Sequence, residues 1–521
     1  MRLFRSGVVV SAMTFISRIF GFVRDMVIAH GFGAGMAADA FFVAFKIPNF
    51  LRRLFAEGAF CQAFVPVLSE YKTHRSPEEI KLLLDRVTGT LSAVLGAMTV
   101  FGILAAPLII TVFAPGFVAT QDKFALTVDM FHLTFPYLLF ISLTALAGGV
   151  LNTYGRFAVP AFTPVFLNLS MIGATLWLAP RMEQPVMALA WGVFIAGVVQ
   201  LLFQFPFLIR LRLCPWPRIK SDDPGVRQIL RLMGPAIFGV SVTQISLLID
   251  TIIASFLVTG SVSWLYYSDR LVEFPLGVFS IAFATVILPS LSQQHAQGSL
   301  KQFSSTLDWA LRWIVLIATP AAVGLALLAE PLLCTLFQYG EFSAHDVVMA
   351  GRSLAAYSFG LLGFSLVKVL APGYFARQDT RTPVRIGVIA MLSNIVLNLI
   401  LVFPLQHAGL ALATSLSAFL NAALLYRGLR EKEIYQPASG WRSLLLQVAV
   451  ATTLMAGLLF FGVAELEQWL SWGMMSRGWH LGVWLVGAAI VYLGALTLAG
   501  LRWKKLLSVG AEAEAERKSM G

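Results

Sequence analysis

Runs of about eighteen or more apolar residues recur along the chain with short polar gaps between them. This is the spacing of helices that cross a hydrocarbon layer roughly 30 Å thick. About fourteen such spans are expected, at 7–30, 36–66, 87–113, 126–152, 159–179, 185–209, 229–257, 262–288, 309–331, 347–372, 384–404, 408–426, 442–463 and 480–501. The first, second, seventh and eighth are the most polar of them. The start of the chain, with Arg2 and Arg5 ahead of an apolar stretch, has the outline of a signal peptide. No small-x-small site precedes Arg18 and further spans follow at once, so it is expected to stay as the first helix.

Composition turns the pattern into a class. Of 521 residues, 12% are charged and 58% hydrophobic, whereas a soluble protein is about a quarter charged. The three cysteines, Cys61, Cys214 and Cys334, are far apart in sequence and suggest no disulfide framework. The expected fold is an all-α polytopic membrane protein. Alternate gaps carry most of the bases, among them Lys72, Arg75, Lys81, Arg86, Arg210, Arg212, Arg218, Lys220, Arg227, Arg377, Arg381, Arg427, Arg430 and Lys432. The other side offers little beyond Lys123, Arg181 and Arg477. The positive-inside rule makes the rich side cytoplasmic, with both termini there and an even number of spans. The net charge of +11 is thus mainly topological, and no nucleic-acid partner is expected.

A repeat appears at an offset of about 223 to 225 residues. Ala59-Phe60 and Pro66-Val67-Leu68-Ser69 match Ala282-Phe283 and Pro289-Ser290-Leu291-Ser292; Asp25-Met26-Val27-Ile28-Ala29 matches Asp250-Thr251-Ile252-Ile253-Ala254. An offset of six spans preserves direction, giving two parallel six-helix repeats, the plan of alternating-access transporters with a cavity between two halves. The implied organisation is an N-terminal bundle at 1–227, a second at 228–432, two additional helices at 433–503 and a cytoplasmic tail at 504–521.

Ionisable residues stand in or beside the polar spans: Arg18, Arg24, Asp25, Asp39, Lys46, Arg52, Arg53 and Glu57 in the first half, and Asp250, Asp269, Arg270, Glu273 and Lys368 in the second. Each charge at mid-membrane costs about 2.5–3.5 kcal/mol on the insertion scale, so the set must face itself or water. On an ideal helix Asp39, Lys46, Arg53 and Glu57 fall within about 40° and form one stripe, and Arg270 lies one turn from Glu273. Arg52 points away from that stripe, but Pro48 can re-aim the turn that follows it. Several arginines together suit a planar, bidentate grip on phosphate or carboxylate. For any one residue the plainer reading is a snorkelling cation or a packing ion pair.

No catalytic constellation appears. The seven histidines are scattered without metal-ligand spacing, and Gly31-Phe32-Gly33-Ala34-Gly35 follows a membrane helix rather than a strand, so it reads as a turn. Without an ATPase domain, the energy must come from an ion gradient, the membrane potential or the substrate's own gradient. Asp250 with Asn394 and Asn398, four apart in span 11, could coordinate a hard monovalent cation; the competing reading is hydrogen bonding by the two amides between helices.

Several motifs carry a resemblance. Arg18-Ile19-Phe20-Gly21-Phe22-Val23-Arg24-Asp25, Asp39-Ala40-Phe41-Phe42, Leu51-Arg52-Arg53, Glu57-Gly58-Ala59-Phe60, Leu336-Phe337-Gln338-Tyr339-Gly340 and Lys368-Val369-Leu370-Ala371-Pro372 are similar to the MurJ (MviN) lipid II flippases. That family belongs to the multidrug/oligosaccharidyl-lipid/polysaccharide exporter superfamily, and two extra C-terminal helices are its mark. The resemblance implies a transporter, not an enzyme, in the bacterial cytoplasmic membrane. Its substrate would be undecaprenyl-pyrophosphate carrying a disaccharide-pentapeptide, moved from the cytoplasmic to the periplasmic leaflet. It further implies substrate contacts at Arg18, Arg24, Asp39, Arg52, Ser263, Arg270 and Glu273, with Asp25, Lys46, Arg53, Glu57 and Asp269 in support. Arg24 and Arg270, with Arg18 or Arg52, would grip the pyrophosphate, while Asp39 and Glu273 orient the arginines or respond to protonation. Sodium or proton coupling, a tail groove on the extra helices and contacts with the cell-wall synthesis machinery are further implications. The alternative is a cation-coupled exporter of amphipathic compounds, which calls for an aromatic, acidic cavity.

Overall fold

A computed structural model describes residues 2–54, 60–220, 223–277 and 281–501. Glu57 and the tail from 504 lie outside the described residues. The first of two compact units comprises residues 1–263 and 339–342, the second 264–338 and 343–521. The first carries α1 (Arg2–Phe32), α2 (Met36–Leu51), α3 (Cys61–His74), α4 (Pro77–Leu104), α5 (Ala106–Phe113), α6 (Gln121–Thr134), α7 (Tyr137–Thr153), α8 (Ala158–Phe162), α9 (Pro164–Gly173), α10 (Met187–Arg210) and α11 (Pro224–Ser255). The second carries most of α12 (Ser261–Pro275), then α13 (Ile281–Ala296), α14 (Leu300–Leu327), α15 (Ala329–Leu336), α16 (Ala344–Phe375), α17 (Arg381–Glu431), α18 (Trp441–Gly462), α19 (Leu466–Ser471) and α20 (Met474–Leu498).

Among the described residues nine helical stretches are long and apolar enough to cross a membrane. One of them, α17, holds two spans, because Gln406 leaves helical geometry at φ 50° and ψ −130° two residues after Pro404. Elsewhere a span expected as one helix is divided, and the breaks fall beside prolines. The 87–113 span parts at Ala105 before Pro107, 126–152 at Phe135-Pro136, 159–179 before Pro164 and 262–288 after Pro275. In the 36–66 span α2 ends three residues past Pro48 and a π-helical turn occupies 52–54. A proline withholds the N–H that would bond one turn back and its ring crowds that carbonyl, so the break is local and chemical.

In the first unit, Phe60, Phe64, Leu68, Leu83, Leu84, Leu151 and Leu208 build a core from α3, α4, α7 and α10. Helix α11 packs against α3, α4 and α5. Residues Tyr339–Phe342 join this unit as a strap: the Glu341 N–H donates to the His30 carbonyl at 3.0 Å. Gly33 (φ +61°) and Gly340 (φ +60°) make the approach possible, since a Cβ on either would come within 2.4 Å of Glu341 or His30 backbone oxygen.

In the second unit the core of α14, α16 and α17 includes Phe303, Leu307, Leu370, Leu425 and Leu429. The last two long helices, α18 and α20, pack on α14 through Val315, Leu444, Val448, Met455 and Leu496, and the Tyr492 hydroxyl donates to the Leu316 carbonyl at 2.7 Å. Asp308 anchors the segment leading into α18. Its carboxylate accepts from the Tyr435 hydroxyl (2.7 Å), the Trp441 indole (2.6 Å), the Ala438 N–H (3.2 Å) and Arg312 (2.6 Å).

Candidate functional site

The charges singled out in the sequence fall into separate clusters. In the first unit Arg24 is buried on α1 beside Asp25. Its Nε and Nη2 both donate to Asp25 Oδ1, at 2.9 and 2.6 Å, and its Nη1 donates to Asn168 Oδ1 at 3.1 Å. Asn168 is held in turn, its Nδ2 donating to the Ser17 carbonyl at 3.1 Å. The guanidinium plane is therefore fixed from two sides by groups on α1 and α9. Arg18, six residues earlier, is exposed on the same helix.

Asp39 stands in the first turn of α2 and is 1% exposed. Its Oδ1 accepts from the Ser263 N–H (2.9 Å) and hydroxyl (2.7 Å), and its Oδ2 from the Gly260 N–H (2.8 Å) and Lys123 Nζ (2.8 Å). Lys123 is buried as well and sits 4.0 Å above the Phe117 ring. Four donors surround the carboxylate and offset the cost of burying it. The 224 positions between Asp39 and Ser263 match the repeat offset, so equivalent starts of α2 and α12 meet here. The structure thus brings Asp39 and Ser263 together and gives Asp39 a lysine partner, Lys123. Lys46 and Arg53 are half-buried further along α2 and its π turn.

Arg52 opens that π turn, and its Nε donates to Asn49 Oδ1 at 3.0 Å. A π turn adds one residue to the register and so changes where Arg52 and Arg53 point relative to an ideal helix. In the second unit, Arg270 Nη1 donates to Glu273 Oε2 at 2.6 Å, the one-turn pair legible in the spacing, and its guanidinium lies 4.9 Å from the Tyr266 ring centroid. Asp269 is half-buried next to it. Asp250 is buried on α11 in the first unit. Asn394 and Asn398 are buried on α17 in the second, where Asn398 Nδ2 donates to Asn394 Oδ1 (3.2 Å) and Asn394 Nδ2 to Thr414 Oγ1 (3.3 Å), tying the two limbs of α17 together.

Sequence reading missed Asn168, Lys123 and the role of Arg477. The last is buried on α20 and donates to four main-chain carbonyls: Trp469 (2.8 Å), Leu470 (3.0 Å), Cys334 (3.1 Å) and Gln338 (3.1 Å). It closes the C-terminal end of α15 and holds α19 against it, a use of a cation at a helix C-terminus that the dipole favours.

The described residues form helices and no strand, with apolar spans and buried ion pairs, the features of a polytopic membrane protein. The sequence profile of the family described as "Lipid II flippase MurJ" matches residues 28–478. A protein of Vibrio cholerae serotype O1 named "Probable lipid II flippase MurJ" is 50% identical over 97% of this chain and 98% of its own length. A Burkholderia cenocepacia protein named "Lipid II flippase MurJ" is 43% identical over 96% and 98%. A solved structure titled "Lipid II flippase MurJ, inward closed conformation" aligns with a TM-score of 0.80 at 27% identity, over 94% of this chain and 98% of that one. The fold is also that of an inward-facing multidrug MATE transporter of the MOP superfamily (TM-score 0.68, 13% identity, 82% and 98% covered). The chain belongs to the MurJ lipid II flippase family, a family of transporters rather than enzymes.

Proposed function

We propose that this protein moves lipid II from the cytoplasmic to the periplasmic leaflet of a bacterial cytoplasmic membrane by alternating access. The observation that carries the reading is Arg24, a buried arginine on α1 whose guanidinium plane is set by Asp25 and Asn168. A fixed guanidinium matches two oxygens of a pyrophosphate at once, and the cost of keeping a cation in a span is offset by the neighbouring carboxylate. Arg270, with Arg18 or Arg52, completes the grip, and Glu273 holds Arg270 in place while no headgroup is bound. The polyprenyl tail stays in lipid along α18 and α20. A cation-coupled exporter of amphipathic compounds shares the fold, but the arginines do not suit its substrates.

Coupling belongs to the same proposal. The Asp250 carboxylate and the amide oxygens of Asn394 and Asn398 are hard oxygen donors of the kind that hold sodium, so these residues would supply such a site and charge compensation there. Protonation of Asp39 or Glu273 is the other route, and the membrane potential assists return of the empty cationic site toward the cytoplasm. The cell-wall synthesis machinery supplies and consumes the substrate.

The test is leaflet exchange of labelled lipid II in proteoliposomes of the pure protein. Arg24→Ala and Arg270→Ala are expected to reduce exchange at least tenfold, the equivalent of about 1.4 kcal/mol of binding to the headgroup. Wild-type rates in both variants would remove the arginine assignment. Exchange that is indifferent to sodium, in the wild type and in Asp250→Ala alike, would remove the sodium site.

A further inference from the structure

After α10 the chain runs without regular structure over 213–220, and its backbone is pinned. The Trp216 N–H donates to Asp85 Oδ1 at 2.7 Å, the Arg218 N–H donates to the Asp85 carbonyl at 2.9 Å, and Leu213 is buried in the core of the first unit. A Cβ on Gly89 of α4 would lie 2.3 Å from the Arg218 carbonyl, so the glycine admits the loop at that distance. With the backbone held this way, the side chains from Trp216 to Lys220 are exposed. Trp216 is 73% and Ile219 77% exposed.

These two apolar side chains are surrounded by exposed cations: Arg210 at the end of α10, then Arg212, Arg218 and Lys220. Two nearby carboxylates, Asp85 and Asp223, are engaged by the fold. Asp85 takes the loop backbone and Lys81 at 3.5 Å, with Arg218 Nε at 3.9 Å; Asp223 caps α11 through the N–H groups of Gly225 and Val226 and pairs with Arg86. On α10 itself Leu202 and Ile209 are exposed and seven apart, about two helical turns, so they share an outward row of a spanning helix that ends just before the loop.

We infer that this loop is an anionic-lipid docking surface. Trp216 and Ile219 sit at the acyl-chain roots of the base-rich, cytoplasmic side, and Arg210, Arg212, Arg218 and Lys220 rest on lipid phosphates. Three features favour lipid over a soluble protein. The loop follows directly from a spanning helix whose Leu202 and Ile209 are exposed, an indole is the side chain that favours the membrane interface, and Arg210, Arg212, Arg218 and Lys220 outnumber the one carboxylate of the 210–222 stretch, Asp222. Two hydrogen bonds and one close backbone approach keep an otherwise unfavourable exposure of Trp and Ile in place, which a loop that only connects two helices does not need.

The test uses the full-length protein. In native mass spectrometry from mixed micelles, phosphatidylglycerol adducts are compared for the wild type and for the triple variant Arg212→Gln, Arg218→Gln, Lys220→Gln. At about fivefold per surface charge, the variant is expected to bind phosphatidylglycerol on the order of a hundredfold more weakly, with phosphatidylcholine adducts unchanged. In nanodiscs the emission difference between wild type and Trp216→Phe is expected to be quenched by phosphatidylglycerol brominated on its acyl chains. Equal adducts in the triple variant, or a Trp216 signal open to aqueous acrylamide and untouched by the brominated lipid, would overturn the inference. Protection of Trp216 only after a soluble cytoplasmic fraction is added would also overturn it, making the loop a protein-docking surface.

Discussion

Arg24 and Asn168 are joined by one hydrogen bond of 3.1 Å between residues 144 positions apart. Asn168→Ala removes a bond to a charged group, and we expect it to cost about 1.5–3 kcal/mol of stability. Asn168→Asp is the informative partner. It can accept the same bond from Arg24 but has no N–H for the Ser17 carbonyl, so it too is expected to lose some stability, while a second carboxylate on Arg24 competes with the pyrophosphate. Melting curves alongside labelled lipid II binding check this; an Asp variant that binds lipid II as well as the wild type would show that Arg24 does not carry the headgroup.

The Asp39 and Lys123 pair is buried on both sides, so removing one partner strands a charge. Lys123→Met is expected to destabilise the protein by about 3–5 kcal/mol, and adding Asp39→Asn to restore part of that loss, because a buried neutral pair costs less than a buried lone carboxylate. Thermal shift in detergent of the two singles and the double measures the coupling. A Lys123→Met protein that melts like the wild type would show that the Gly260 and Ser263 donors suffice alone.

Arg477 donates to four main-chain carbonyls, those of Trp469, Leu470, Cys334 and Gln338. Arg477→Leu is expected to cost about 2–4 kcal/mol and to loosen α19 from α15. Limited proteolysis between 463 and 473 reports the loosening directly, and unchanged cleavage there would place the holding interaction elsewhere.

Asp379, in the turn between α16 and α17, is pushed up by burial. Hydrogen bonds from the Thr382 N–H (3.0 Å) and hydroxyl (2.7 Å) and from Lys432 (3.3 Å) outweigh that and hold its carboxyl below the ordinary value of 3.8. A depressed carboxylate pKa contributes stability that is fully present above the unfolded value and is lost as pH falls through the folded one. We expect the melting-temperature gap between wild type and Asp379→Asn to be constant near neutral pH and to close on acidification below that ordinary value. A gap independent of pH through that range would rule out the carboxylate as its source.

The spans were legible because an apolar run of membrane length has few other uses; their division was not, apart from the re-aimed turn after Pro48, although Pro107, Pro136, Pro164 and Pro275 each deny a helix its bond. The Arg270–Glu273 pair was legible from spacing within one turn. Asn168 and Lys123 were not, since each meets its partner across 144 or 84 residues and neither lies in a pattern. One signal was available. The base-poor side carried three cations, and two of them, Lys123 and Arg477, are buried and bonded into the fold. A base retained against the topological rule is a base whose charge is used inside the protein, and this criterion would have singled out both.

The strap at Tyr339–Phe342 makes the polypeptide indivisible by any single cut. A fragment ending at Ser263 would lack the four residues that cover Gly33 and bond to His30, and the complementary fragment would carry them away from the surface they fit. The duplication written into the sequence therefore no longer corresponds to two self-sufficient pieces, and split versions of this protein would have to be cut twice and supplied with the strap to rebuild the first unit.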